Sequence, residues 1–206
     1  MTIRFHKGDL PADLDLGPIV AIDTETLGLE VKRDRLCVVQ LSRGDGSADV
    51  VQIAPGQKHA PVIEKMLGDE KVLKLFHFGR FDMGTLCNAF GVMPTPVYCT
   101  KIASKLARTY TDRHGLKDLT RELLGVDLSK QQQSSDWGAD TLTDAQLTYA
   151  ASDVLHLHAL RERLNAMLIR EGRDGLAGAA FGYLPDRVRL DLAGFEPMDI
   201  FAHASP

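Results

Sequence analysis

Residues 19–29, Ile-Val-Ala-Ile-Asp-Thr-Glu-Thr-Leu-Gly-Leu, constrain the fold more than any other stretch of the chain. The apolar run from Ile19 to Ile22 predicts a short buried strand. Residues two apart in an extended strand point to the same side, so Asp23 and Glu25 direct their carboxylates at one point. Adjacent carboxylates repel each other unless a cation neutralises them, and an all-oxygen site suits Mg²⁺ or Mn²⁺. Taken alone, the stretch leaves a strand end followed by an ordinary Thr/Gly turn as the alternative.

Two further strands are predicted close behind this one. Residues 35–42 are rich in β-branched and apolar side chains, and residues 49–53 follow a turn signal at 44–46. Three strands with short connections indicate an antiparallel meander. Residues 3–5 are predicted to add an edge strand.

The pattern then alternates between helix and strand. One strand is predicted over residues 72–76, and helices are predicted over residues 60–67, 80–90, 98–108, 116–124 and 143–170. The last of these is the longest element, and Thr143 with Gln146 fits a capping box at its start. A strand meander followed by helix–strand alternation predicts an α/β domain, with a mixed sheet of antiparallel and parallel strands flanked by helices.

The 206 residues contain no internal repeat, low-complexity run or linker, which predicts a single domain over residues 1–206. Residues 182–206 are predicted to be an irregular C-terminal tail whose apolar side chains pack on their own domain or at a subunit interface. Residues 1–7 are polar, and no apolar run reaches the roughly 20 residues that span a bilayer. We therefore expect a cytoplasmic protein without a membrane partner.

Three more residues complete a predicted active site. Asp82 opens a helix directly after a predicted strand, and Tyr149 and Asp153 are four apart on one helix face. Taken singly, Asp82 fits a helix N-terminal acid, and Tyr149 fits a half-buried packing residue. Together with Asp23 and Glu25 they make four carboxylates beside a tyrosine. Such a set suits two divalent cations that hold the attacking and leaving oxygens of a phosphoryl displacement.

These motifs resemble the DEDD exonuclease superfamily. Asp23-x-Glu25, Asp82 after His77, and Tyr149-x-x-x-Asp153 match its pattern, and the tyrosine four residues before the last aspartate marks the DEDDy branch. Residues 134–137 and 146–154 resemble ribonuclease D. The chain is more similar still to the nanoRNase C family, the compact alphaproteobacterial relatives of ribonuclease D. This resemblance covers essentially the whole chain, including residues 33–41, 109–116 and 129–137.

The resemblance implies an RNase H-like fold of the DEDD exonuclease type and 3′→5′ hydrolysis that releases nucleoside 5′-monophosphates. It implies that Asp23, Glu25 and Asp153 hold the metal that carries the nucleophilic water. Asp23 would bridge to a second metal, Asp82 would help through water, and Tyr149 would orient the attacking water. It also implies a ring-like homo-oligomer, an octamer.

Seven residues near these motifs are candidates for substrate contact: Thr24, Leu29, His77, Arg108, Arg113, Lys130 and Gln133. Leu29 lies where related enzymes place a leucine between the last two bases, with an ordinary core leucine as the alternative. Residues 100–121 carry six basic and two acidic side chains, a net charge of +4, which suits either phosphate contact by the loop after Arg108 or a solvated helix face. Trp137 would stack a base or anchor its loop.

From these features we predict a divalent-metal-dependent 3′→5′ exoribonuclease that acts on very short RNA, dinucleotides above all. A short substrate needs few phosphate contacts, which agrees with the net charge of −4. One alternative is a general ribonuclease D-like exonuclease that trims longer RNA or DNA 3′ ends. The other is a catalytically weak nucleic-acid-binding or scaffold protein, against which the intact set of four carboxylates and a tyrosine argues.

Overall fold

The computed structural model describes residues 2–129 and 131–203. Six strands form one mixed sheet in the order β1-β4-β3-β2-β5-β6. They are β1 (Thr2–Lys7), β2 (Ile19–Thr26), β3 (Leu36–Ser42), β4 (Ser47–Gln52), β5 (Leu73–Phe76) and β6 (Val97–Cys99). β2, β3 and β4 pair antiparallel as the predicted meander, and β1–β4, β2–β5 and β5–β6 pair parallel. The predicted α/β class with a mixed sheet is confirmed.

Helices cover both faces of the sheet. They are α1 (Pro61–Gly68), α2 (Gly79–Phe90), α3 (Thr100–Ala107), α4 (Leu116–Leu124), α5 (Asp144–Leu155), α6 (Leu157–Arg170) and α7 (Asp174–Leu190). Alternate residues of β2 enter two separate apolar clusters, Ile22 on the side of α1, α2 and α7, and Ala21 on the side of α3 to α6. The strand period therefore turns Asp23 and Glu25 toward the side of α5. In the part of the chain that the structure describes, no helix is both long and apolar enough to cross a bilayer.

The predicted helix over residues 98–108 is wrong at its start. Tyr98 and Cys99 belong to β6, which pairs parallel with β5, and α3 begins only at Thr100. β6 has only three residues, all of them buried. So short a segment shows no periodicity that would distinguish a strand from the first turn of a helix. The pairing with β5, a contact with a distant segment, decides the conformation.

Two further expectations about the C-terminal half need correction. The single helix over residues 143–170 is two helices, because the chain breaks at His156 (φ −105°, ψ −5°) between α5 and α6. Residues 182–190 are not irregular but continue α7, since Leu184 and Val188 pack into the core. The chain continues after α7 in a wide turn, Asp191–Phe195, which is kinked at Gly194 (φ 99°). An apolar stripe at helical spacing runs along α6, but such spacing does not reveal where a helix breaks; its residues are Leu157, Leu160, Leu164 and Leu168.

Candidate active site

Three carboxylates from two elements meet at one point. Asp23 and Glu25 lie within β2, which runs on to Thr26, and Asp153 lies on α5, which packs against β2 and β3. One oxygen from each lies within 4.8 Å of the other two. Three hard oxygen donors in so small a space match the ligands that Mg²⁺ and Mn²⁺ take in proteins. The donor set therefore fits divalent cations.

The position of these acids opposes their ionisation. Burial raises the pKa of Asp23 to about 7. Burial, with the charge of Asp23 as a second cause, raises the pKa of Asp153 to about 8. Burial raises the pKa of Glu25 to about 10, and the charges of Asp23 and Asp153 add to the effect. Without a cation the cluster therefore holds protons at neutral pH, and a bound cation would replace them.

We expect the stability of the metal-free protein to fall, and its affinity for Mg²⁺ to rise, as the pH increases. The three carboxyl groups bind protons up to pH 7–10 in the folded protein but only up to about pH 4 when unfolded. Their contribution to stability is therefore complete below pH 4 and is lost as the pH rises through the folded pKa values. For each proton that the cation displaces, the Kd for Mg²⁺ should fall by up to about tenfold per pH unit.

Thermal unfolding with Mg²⁺ and with chelator at pH 6, 7 and 8 measures this linkage. We expect the Mg²⁺-induced rise in melting temperature to be larger at pH 8 than at pH 6. The Asp23→Asn protein, which lacks one of the three groups, should show a smaller rise at every pH. An identical Mg²⁺-induced rise at all three pH values would contradict the proton-for-cation exchange.

Asp82 is held by a hydrogen bond from Thr24. It sits in the first turn of α2, and the Thr24 hydroxyl donates a hydrogen bond to it at 2.7 Å. Burial, followed by the charge of Asp23, raises the pKa of Asp82 well above its usual range. Asp82 is not among the three acids within 4.8 Å of one another. The side chain of Thr24, predicted to contact substrate, thus has a structural partner in Asp82, and the water-mediated role of Asp82 stays a prediction.

Tyr149 stands one helical turn before Asp153 and borders the acids. Burial first, and then the negative charges of Asp153 and Glu25, raise the pKa of its phenol above the ordinary value. The hydroxyl therefore keeps its proton at neutral pH. Trp137 packs beside it, with ring centroids 6.0 Å apart. Trp137 is buried, which supports its interpretation as an anchor of its loop rather than a stacking platform.

The capping box predicted at the start of the site helix is present and also secures that loop. The Gln146 backbone N–H donates to the Thr143 hydroxyl at 3.2 Å, and the Gln146 amide oxygen accepts from the Thr143 backbone at 2.9 Å. The Gln146 amide nitrogen also donates to the Asp136 carbonyl at 3.0 Å. One side chain thus joins the first turn of α5 to the residue before Trp137.

The acids and Tyr149 border an open cavity of about 580 Å³. Three predicted substrate residues besides Thr24 line it: Leu29, His77 and Gln133. Leu29 is 83% exposed, so the alternative of a core leucine is wrong. The His77 ring bonds the Thr100 hydroxyl at 2.9 Å, and burial lowers its pKa to about 3, which keeps the ring neutral. Our sequence reasoning missed Phe81 and Leu116 in this wall, although Phe81 directly precedes Asp82.

The remaining predicted substrate residues lie elsewhere. Arg108 is fully buried, and its guanidinium donates to the Ser104 hydroxyl, the Arg113 carbonyl and the Glu122 carboxylate. This internal bonding corrects the prediction that Arg108 contacts a substrate phosphate. Arg113 is exposed but is not part of the cavity wall. Lys130 lies outside the described residues.

Comparison with known proteins places this site in a family. Residues 8–169 match a family model described as 3′-5′ exonuclease. The structure of Brucella melitensis NrnC with bound Mg²⁺ is 60% identical, with a TM-score of 0.95 over 99% of this chain and 100% of that one. The chain belongs to the nanoRNase C family of 3′–5′ exonucleases. The family resemblance and the exonuclease type of the fold are thereby confirmed.

Two further relatives of this nanoRNase C family chain bear on its function. Brucella melitensis NrnC bound to pGG is 61% identical, with a TM-score of 0.96 over 99% of this chain and 100% of that one. Ribonuclease D of Gluconacetobacter diazotrophicus is 37% identical over 156 residues, which are 76% of this chain and 39% of that protein. The chain thus spans about two fifths of the length of the curated ribonuclease D relatives it matches.

Proposed function

We propose that this nanoRNase C family protein is a divalent-metal-dependent 3′→5′ exoribonuclease that cleaves very short RNA to nucleoside 5′-monophosphates. The observation that carries the proposal is the meeting of Asp23, Glu25 and Asp153 within 4.8 Å at an open cavity that Tyr149 also lines. The Mg²⁺ bound to the Brucella relative supports the metal requirement. The alternative within the same chemistry is a ribonuclease D-like exonuclease that trims longer RNA or DNA 3′ ends.

Each site residue has a role in this proposal. Two bound divalent cations would lower the pKa of the attacking water and stabilise the charge on the leaving oxygen. Asp23, Glu25 and Asp153 would hold them, with Asp82 assisting through water. Tyr149 would orient the attacking water by hydrogen bonding through its phenol, which borders the same cavity as the acids.

The preference for dinucleotides is the finer part of the proposal. The cavity has a volume of about 580 Å³, and the exposed Leu29 side chain lines it together with the acids. The ligand pGG of the Brucella relative has two nucleotide residues, which supports a short substrate here. A substrate with so few phosphates draws its affinity from base contacts in the cavity more than from a basic surface.

Replacing Leu29 with alanine is expected to lower kcat/KM on a dinucleotide by about tenfold or more, because burying an exposed leucine side chain against a base is worth about 1.5–3 kcal/mol. Stability should be unchanged, since Leu29 is 83% exposed and contributes little to the core. Steady-state kinetics with a dinucleotide, together with thermal unfolding, measures both effects.

Leu176→Ala is the matched control for this change. Leu176 is also an exposed leucine, at 64%, but it lies on α7 and is not part of the cavity wall. Its loss should alter neither rate nor stability. Equal kcat/KM for Leu29→Ala and the unchanged protein would remove Leu29 from the substrate site.

The remaining parts of the proposal concern organisation. We propose that residues 1–206 form a single exonuclease domain, that the protein is cytoplasmic, and that it assembles into a ring-like homo-octamer. Four exposed apolar side chains near the C-terminus, Phe195, Met198, Ile200 and Phe201, support self-association. Gel filtration tests the octamer, and elution at the volume of a monomer would contradict it.

The direction and metal dependence of cleavage are tested with a 5′-labelled RNA of seven residues. Incubation with Mg²⁺ should shorten the labelled strand one residue at a time and release nucleoside 5′-monophosphates, and a chelator should stop it. Release of the labelled 5′ residue in the first step, or cleavage that persists in chelator, would contradict the proposed reaction.

A further inference from the structure

Gln40 is a fully buried polar side chain for which the fold provides no partner. It lies in the middle of β3 and is 0% exposed. Among the residues that the structure describes, neither its Oε1 nor its Nε2 has a hydrogen-bond partner. A buried amide left unpaired costs free energy, so an apolar side chain of the same shape would make β3 more stable. An unsatisfied buried group of this kind calls for an explanation other than packing.

The register of the sheet places this amide beside the acidic cluster. Gln40 is directly opposite Asp23 in the antiparallel pair β2–β3. Opposite residues in such a pair share one face of the sheet, with Cβ atoms about 4.5–5.5 Å apart. α5, which carries Tyr149 and Asp153, packs against β3. The amide is therefore enclosed between the sheet and the helix that together hold the three acids.

The side-chain amide of Gln40 is suited to donate a hydrogen bond to the Asp23 carboxylate. One oxygen of Asp23 lies within 4.8 Å of an oxygen of Glu25 and of an oxygen of Asp153, so the three acids crowd one another. A carboxylate that binds a cation through one oxygen is commonly fixed by a neutral donor to the other, and such donors raise metal affinity. The primary amide of a glutamine is a neutral donor, and its side-chain torsions bring Nε2 within reach of a directly opposite residue.

We propose that Gln40 is a positioning residue for the metal-binding carboxylates, with its side-chain amide donating a hydrogen bond to Asp23 from beneath the cation site. The bond would form when a cation occupies the site. It would hold one Asp23 oxygen and leave the other free to bind the cation. This inference rests on the metal site of the proposed function and adds a residue to it that touches neither metal nor substrate.

Replacing Gln40 with methionine tests the inference, because methionine keeps the length of the side chain and removes the amide. We expect the melting temperature of the metal-free protein to stay the same or rise. We expect the Kd for Mg²⁺, measured by calorimetry, to increase by about tenfold or more, which is the usual effect of losing a donor behind a metal ligand. Gln40→Leu serves as a second apolar variant if the methionine protein does not fold.

Tyr98→Phe is the matched control, because the Tyr98 hydroxyl is also buried without a partner among the described residues but lies in β6, two strands from β2. It should leave the Kd for Mg²⁺ unchanged. An unchanged Kd in Gln40→Met, or an equal increase in Tyr98→Phe, would overturn the role of Gln40. Absence of Mg²⁺ binding in the unchanged protein would instead contradict the metal site itself, which keeps the two failures distinct.

Discussion

Replacing Asp153 with asparagine is expected to lower the rate of RNA hydrolysis by about 10³-fold or more while making the metal-free protein more stable. The rate falls because a preorganised charged group at the reacting centre is typically worth 10²–10³-fold, and here a metal ligand is lost as well. Stability rises because a buried carboxyl group at Asp153, within 4.8 Å of two others, must either hold a proton or bear their repulsion, and asparagine removes that cost. A substitution that lowers activity and raises stability indicates that the acid serves the active site and not the packing of the fold.

Single-turnover rates with a dinucleotide and thermal unfolding in chelator measure the two effects. Asp144→Asn is the matched control, since it makes the same chemical change on an exposed residue of the same helix. The control should leave the rate intact. A fall in the melting temperature of metal-free Asp153→Asn, or a rate within a few-fold of the unchanged protein, would contradict the assignment of Asp153 to the metal site.

Replacing Tyr149 with phenylalanine is expected to lower kcat by about 10²-fold and to leave KM and the Kd for Mg²⁺ nearly unchanged. Positioning of a reacting group through one hydrogen bond typically contributes at least this much to the rate. The change removes the hydroxyl that would orient the attacking water and keeps the ring that packs against Trp137.

Steady-state kinetics and calorimetry with Mg²⁺ separate these quantities. Tyr183→Phe serves as control, because Tyr183 lies on α7, outside the cavity that Tyr149 lines. If Tyr149→Phe weakened Mg²⁺ binding by the same factor as the rate, Tyr149 would be supporting the metal ligands. Its assignment to the attacking water would then be wrong.

The parts of the site that were predictable from the sequence are those that local geometry decides. The period of a strand is enough to bring Asp23 and Glu25 together, and the period of a helix is enough to stack Tyr149 on Asp153. The capping box of Thr143 and Gln146 is likewise a relation between residues three apart. In each case the pattern in the sequence and the cause of the structure span only a few residues.

The parts that were not predictable depend on distant contacts. Tyr98 is in a strand because β5 lies beside it, and the chain breaks at His156 without a local signal in the apolar stripe. The basic residue Arg108 was expected at the surface but is buried by its bonds to Ser104 and Glu122. The hydrogen bond from Thr24 to Asp82 joins residues 58 positions apart. Charge and composition do not reveal such partners.

The most direct test of the proposed function is the dependence of rate on substrate length. Single-turnover rates would be measured on 5′-labelled RNAs of two to seven residues with Mg²⁺, with chelator, and with the Asp153→Asn protein in parallel. We predict a large rate advantage for the dinucleotide that chelator and the substitution both abolish, because Leu29 lines the same cavity of about 580 Å³ as Asp23 and Glu25 and can contact the bases of a substrate of two residues. A rate that stays level or rises with length would contradict the dinucleotide preference and indicate an open groove for longer 3′ ends.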